Sequence, residues 1–301
     1  MIFTYAPSPL TVALPSILIN FFKRIPHVIW IQDLWPEVFK AVEAPKSKFF
    51  YSCVEYMMKF IYKRSNLILI QSRQFKENIK QLGVKEEKIK YFPNWAEDFF
   101  MPIERSEALR EGYILPNEKS FTVMFAGNIG ESQCFDVILE SALHLQDENV
   151  TWVILGDGRK RLWLEDQIKI NSLESVMFTL GNKPVHEMPY YYSLADIMLV
   201  SLKPHPVFSA WIPGKIQSYL ACAKPIVALL SGEGAKVIEE SKSGYAVTKG
   251  TSDELIAQLR RFKSHSERDL LKMGQNALEY YNKEFKRERL ITELESMLRN
   301  I

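Results

Sequence analysis

Residues 121–158, FTVMFAGNIGESQCFDVILESALHLQDENVTWVILGDG, decide the fold. The stretch opens on an apolar run, crosses a glycine-bearing loop and continues through an amphipathic segment, Phe135–Leu145. It then returns to a second apolar run that ends in GDG. Both runs have strand length and lack polar alternation, as expected of parallel strands covered on both faces. Strand, helix and strand in that order make a βαβ unit.

The same pattern extends outward in both directions. Downstream come VMFTLG, DIMLVSL, KPIVALL and GYAV; upstream come HVIWIQD and NLILIQS. Helical stretches lie between the runs at Lys46–Arg64, Arg73–Leu82, Arg159–Asn171, Lys215–Cys222 and Asp253–Phe262. Regular alternation predicts doubly wound α/β sheets. Thr251 with Glu254 reads as a capping box, and Ser266 with Asp269 as a looser one. Weak periodicity, two prolines and many charges mark 101–120 as a linker. The expected organisation is a partial N-terminal domain over 1–100, a second Rossmann-like domain over 121–279 and a C-terminal helix over 280–301.

Composition bounds the remaining readings. Of 301 residues, 47% are hydrophobic and 25% charged, which is globular and not disordered. A net charge of +2 gives no argument for nucleic acid. Residues 1–100 hold 14 Lys/Arg against 9 Asp/Glu, a mildly basic half that suits an anionic membrane face or phosphorylated acceptor, or is simply a solvated surface. Three scattered cysteines fit a reducing cytoplasm. The apolar start, Met1–Phe22, carries Pro7, Pro9 and Pro15 and has its basic residues only afterwards. It reads as a buried strand at Ile2–Tyr5 and a buried helix at Thr11–Phe22 rather than as a leader or span.

Four loops carry candidate chemistry. In FAGNIGES, Gly127 and Gly130 permit close backbone approach to an anion at a helix start, or serve only the turn. In GDGRKR the structural reading is favoured, with Asp157 as a cap. Lys215 follows Pro213 and Gly214 into a first helical turn, where its charge opposes the helix dipole. A bound pyrophosphate resolves that conflict; the alternative is a lysine in solvent. Asp33 ends an apolar strand between Trp30 and Trp35, where it either orients an acceptor hydroxyl or caps the next turn. No metal-ligand spacing appears, and GNIGES and GDGRKR both fail the dinucleotide fingerprint.

Seven segments, in this order and spacing, resemble retaining GT-B glycosyltransferases of the large family 4. They are IQDLWPE, YFPNWAED, FAGNIGESQ, VILGDG, YYSLADIML, IPGKIQSYLACAKPIVALLSGEGA and SGYAV. The likeness is nearest to the O-antigen and capsule subgroup that includes L-fucosamine transferases. It implies two Rossmann-like domains and no bound metal or cofactor, with a UDP-linked sugar as donor and a lipid-linked glycan as acceptor. It also implies work at the cytoplasmic face of the membrane. Asn128 and Gly130 would sit beside the donor phosphates, Asn182 and Lys183 by the base, and Gly214 and Lys215 at the pyrophosphate. Asp33 would be the catalytic residue.

The departures from the family are specific. Its Glu-x7-Glu pair falls on Ala210 and Ser218, of which only Ser218 retains a hydrogen-bonding group. Glu131 stands near the phosphates, where it would repel them, and Gln32 replaces a histidine. Relatives begin with a strand, a loop and a helix ahead of this chain's first segment. A shortened acceptor side with an exposed sheet edge is therefore expected. An alternative of another class, a non-catalytic partner subunit, follows from the same departures. The helix of KSKFFYSCVEYMMKFIYKR is either a membrane-surface element or an ordinary amphipathic helix.

Overall fold

A computed structural model describes residues 1–8, 10–38 and 47–301. Pro9, and Lys46 at the head of the expected 46–64 helix, lie outside the described residues. The chain divides into two compact units. Unit 1 comprises residues 1–94, 205–212 and 287–301; unit 2 comprises 95–204 and 213–286.

In unit 1, β1 (Ile2–Ala6), α1 (Leu14–Lys23), β2 (His27–Ile31), α2 (Lys48–Arg64), β3 (Leu67–Ile70), α3 (Phe75–Gln81) and β4 (Ile89–Tyr91) follow one another. The strands form a parallel sheet in the order β1-β2-β3-β4. Its core joins Ile29, Ile31, Ile68 and Ile70 to Met58, Ile61 and Phe75 on the covering helices. His27 is fully buried, between the hydroxyls of Thr4 (2.9 Å) and Ser65 (3.1 Å).

Unit 2 begins with α4 (Arg105–Arg110), which packs on α7 (Met188–Leu194). The residues read from sequence as a linker thus carry a helix; Ala108 is its buried contact, and a single short turn gives little periodic signal. Then come β5 (Phe121–Ala126), α5 (Phe135–His144), β6 (Val150–Leu155), α6 (Arg161–Ile170), β7 (Met177–Gly181) and, after α7, β8 (Ile197–Ser201). The short helix α8 (Pro206–Ser209) belongs to unit 1. Unit 2 resumes with α9 (Gly214–Ala221), β9 (Ile226–Leu229), α10 (Glu233–Ser241), β10 (Gly244–Ala246), α11 (Ser252–Lys263) and α12 (Glu267–Glu284). The last helix, α13 (Arg287–Arg299), lies in unit 1.

The unit 2 sheet is parallel, in the order β10-β9-β8-β5-β6-β7. Read from β7, this is the 3-2-1-4-5-6 order of a Rossmann sheet. The expected fold class, α/β with two Rossmann-like domains, is therefore the one adopted. Trp152, Phe125, Phe135 and Phe262 fill the unit 2 core.

Two local expectations change. Thr11–Phe22 is not buried: of α1 only Ile17 is, while Phe22 is 78% exposed. Strand β1 lies at the sheet edge, so α1 is covered on one side only. The two caps also exchange rank. Ser266 and Asp269 form the reciprocal box, whereas Glu254 turns from Thr251 to accept from Lys249 N (2.8 Å). No described helix is long and apolar enough to cross a membrane.

Candidate functional site

The strand order of the unit 2 sheet reverses between β5 and β8, and open α/β sheets bind ligands beyond the strand carboxyl ends at such a reversal. Unit 2 has a cavity of about 640 Å3 there. Ala126 and Gly127 enter it from β5, Gly156 and Asp157 from β6, and Asn182 and Lys183 from β7. Gly214, Lys215 and Ser218 enter from α9, and Asn128 lines it as well.

Two glycine loops are zipped together at its floor. Gly127 N donates to Leu155 O (2.9 Å), and Ile129 N to Asp157 O (2.8 Å). Gly156 has φ +128°, and a Cβ there would lie 1.9 Å from Gly127 O, so only glycine lets the loops meet. Gly127 has φ +141°, and its Cβ would come within 3.0 Å of Lys215 Cε. The missing side chain at 127 is thus the space that Lys215 uses. Gly130 does not line the cavity; a Cβ there would meet the Asn128 amide at 2.6 Å.

Lys215 stands in the first turn of α9, half-buried. Its Nζ donates to Gln133 Oε1 (2.7 Å) and lies 3.8 Å from the centroid of the Phe125 ring. Both partners are neutral, and no carboxylate pairs with it among the described residues. Burial brings its pKa down to about 7. An enclosed ammonium of this kind gains most from an anion, which would restore the charged form. The α9 start adds unpaired N–H groups and the positive end of a helix dipole.

Ser218 Oγ donates to Lys215 O (3.0 Å) and is hydrogen-bonded to the Tyr192 hydroxyl. Glu131, expected to repel phosphate, is absent from the cavity lining and pairs with Lys160 (3.3 Å) and Lys203 (3.8 Å). Trp95, Glu97, Phe100 and Tyr192 complete the wall. None of these four, nor Gln133, was assigned a role from sequence. Trp95 and Glu97 lie in YFPNWAED, Tyr192 in YYSLADIML and Gln133 in FAGNIGESQ; Phe100 lies outside these segments.

Asp33 lies in unit 1, just beyond β2, and does not line this cavity. Burial raises its carboxyl pKa, against a hydrogen bond from Ser8 that lowers it. Asn94 Nδ2 donates to Gln32 Oε1 (2.8 Å) and Gln71 Nε2 to Gln32 O (3.2 Å). Gln32 Nε2, Gln71 Oε1 and Ser72 Oγ are buried with no partner among the described residues. A unit 1 cavity of about 410 Å3 is lined by Leu34, Glu37, Gln74, Asn78, His205 and Ala210. Ala210 itself packs into the unit 1 core, so no family-type glutamate stands there. Among the described residues no three His, Cys, Asp or Glu side chains gather as a metal site.

Comparison with known proteins adds to this geometry. Residues 120–265 match the family described as Glycosyl transferases group 1. The chain is 29% identical over 153 residues to "Putative colanic acid biosynthesis glycosyl transferase WcaI" of Escherichia coli (strain K12), covering 50% of this chain and 37% of that protein. It is 23% identical over 244 residues to "Putative colanic acid biosynthesis glycosyltransferase WcaL" of Salmonella typhimurium, covering 80% and 58%. The chain thus spans less than two thirds of either relative. Among solved structures, Anabaena Alr3699/HepE in complex with UDP superposes with a TM-score of 0.80 at 17% identity, over 99% of this chain and 79% of that one. At that identity the likeness is one of fold.

Proposed function

We propose that this chain transfers a glycosyl group from a nucleoside diphosphate sugar to a glycan acceptor during assembly of a bacterial surface polysaccharide. The observation that carries the reading is Lys215: an ammonium without a carboxylate partner among the described residues, set at a helix start where the strand order reverses. The colanic acid names of the two relatives support the pathway, and the UDP in the Anabaena complex supports a uridine donor.

In this reading the diphosphate lies against Lys215, the Gly127–Asn128 loop and the amides opening α9, with the base toward Asn182 and Lys183. Charge grows on the diphosphate as the glycosidic bond breaks. Preorganised N–H groups and one ammonium stabilise it, each by on the order of a few kcal/mol. That role is the one a divalent metal would otherwise take, so we read the transfer as metal-independent, and as retaining by its resemblance to family 4. Asp33, with its raised pKa, accepts or orients the acceptor hydroxyl.

A lipid-linked acceptor of the O-antigen or capsule type fits unit 1, which would work at the cytoplasmic membrane face. Phe49 (79% exposed), Tyr56 and Phe60 form an outer apolar stripe on α2, and Lys48, Lys59, Lys63 and Arg64 bring positive charge beside it. Arg64 lies 5.4 Å from the ring centroids of both Phe60 and Phe21. Such a surface matches anionic lipid.

The test is calorimetric titration of UDP, followed by release of UDP from a panel of UDP-hexoses and UDP-aminosugars with an undecaprenyl-type acceptor. Absence of UDP binding would sink the reading. A second reading, donor binding without transfer, is favoured by the apolar surroundings of Ala210. It predicts UDP binding with no release from any donor.

A further inference from the structure

The nucleotide cavity carries two carboxylates, and only one is committed. Asp157 accepts from Gly158 N (2.7 Å) and pairs with Arg161 (3.6 Å). Glu97 is exposed, lines the cavity, and has no side-chain hydrogen bond or ion pair among the described residues. A free carboxylate in a cavity built for an anion is repulsive wherever phosphate comes near. It is favourable only where the ligand presents neutral O–H donors.

The backbone holds Glu97 at one end of the cavity. Tyr281 Oη donates to Ala96 O (3.3 Å), and Phe100 N donates to Glu97 O (2.9 Å). The Phe100 ring stacks on Tyr192 with centroids 6.0 Å apart and planes 13° from parallel. Glu97 acts electrostatically on Tyr192, whose hydroxyl is hydrogen-bonded to Ser218. Ser218 lies one helical turn beyond Lys215 on the same face of α9. The cavity therefore carries an ammonium at Lys215 and a carboxylate at Glu97.

We infer that Glu97 holds the ribose of the donor, its two oxygens accepting from the 2′- and 3′-hydroxyls of a ribonucleotide whose phosphates lie at Lys215. This rests on the diphosphate reading of the cavity given above. A vicinal diol offers two O–H donors to a carboxylate that can accept both. Rossmann dinucleotide sites pair an acidic side chain with ribose by the same chemistry.

The experiment titrates the full chain and its Glu97→Ala and Glu97→Gln variants with UDP, 2′-deoxy-UDP and inorganic pyrophosphate by calorimetry. Charged hydrogen bonds of this kind correspond to about tenfold in affinity. The unaltered protein is thus expected to prefer UDP over 2′-deoxy-UDP by about that factor. Glu97→Ala lowers UDP affinity about tenfold and cuts the preference to roughly twofold or less, with Glu97→Gln between. Pyrophosphate binding holds or tightens in Glu97→Ala, because a negative charge has left. Unchanged UDP affinity in Glu97→Ala, or an intact preference for ribose, overturns the inference. So does an unaltered protein that binds UDP no better than pyrophosphate, and in that case the diphosphate reading survives. If the unaltered protein binds neither UDP nor pyrophosphate, both fall together.

Discussion

At the carboxyl edge of the unit 2 sheet, a half-buried ammonium, two interlocked glycine loops and a helix start face one cavity. At the same edge of the unit 1 sheet stand the amides of Gln32 and Gln71, the Ser72 hydroxyl and the desolvated carboxyl of Asp33. Both sheets are parallel, so both send their loops to the same topological place. The groups on those loops then decide the charge of what is bound. In the reading proposed above, unit 2 takes the anion. Unit 1 leaves hydrogen-bonding capacity unused in Gln32, Gln71 and Ser72, which suits a neutral polyhydroxylated molecule and not a phosphate.

This contrast can be broken by substitution in each half. Asp33→Asn is expected to lower transfer by on the order of 10²–10⁴-fold, the range for loss of a general base, while UDP affinity stays unchanged. Steady-state rates with calorimetry on the same preparation check it. A parallel loss of UDP binding would erase the division of labour between the units. Lys215→Met should do the converse. It lowers UDP affinity by about ten- to a hundredfold, since one charge-assisted contact to phosphate is lost. If Lys215→Met binds UDP normally, unit 2 is not the anion side.

A smaller effect sharpens the role of Lys215. Its pKa of about 7 in the free protein means that it is charged below pH 7 and increasingly neutral above. Phosphate binds the charged form. UDP affinity is therefore expected to fall by up to about tenfold per pH unit above 7, until the pKa of the bound state is reached. Below about pH 6 the terminal phosphate of UDP gains a proton, which lowers affinity from the other side. Lys215→Arg, charged at every accessible pH, should flatten the alkaline limb. Calorimetry across pH 5.5–9 reads both limbs, and an affinity that is level through pH 8 in the unaltered chain would contradict the account.

The fold was legible where one strand or helix carries its own signal. Phe121–Ala126 and Phe135–His144 fall where an apolar run and a helical period place them, because a parallel strand covered on both faces has little freedom in composition. Burial of α1 was not legible. Its apolar residues resemble a core helix, and only the edge position of β1 leaves Phe22 in the open. Gly127 and Lys215 could each be singled out from their loops. Their contact could not, since it depends on two distant segments meeting at the strand-order reversal. Glu97 lay inside a quoted motif without a role. An exposed carboxylate acquires meaning only from the cavity it borders.

The last contrast concerns stability. Unit 1 buries a histidine and the unit 2 core does not. Ser65 Oγ donates to Ile61 O (3.0 Å), so the His27 Nδ1–H donates to Ser65, while Nε2 lies 2.9 Å from the Thr4 hydroxyl. Burial lowers the His27 pKa below its ordinary 6.5. The sign follows. A proton enters the unfolded chain first, so this contribution is whole above pH 6.5 and is lost as pH falls toward the folded-state pKa. The slope is at most about 1.4 kcal/mol per pH unit. Urea unfolding at pH 7.5 and 5.5 should therefore show lower stability at the acid pH in the transition that reports on unit 1, for instance through Trp30. His27→Gln, which cannot take up the proton, should lack that loss even though it starts less stable. An acid loss of equal size in His27→Gln would place the sensitive group elsewhere.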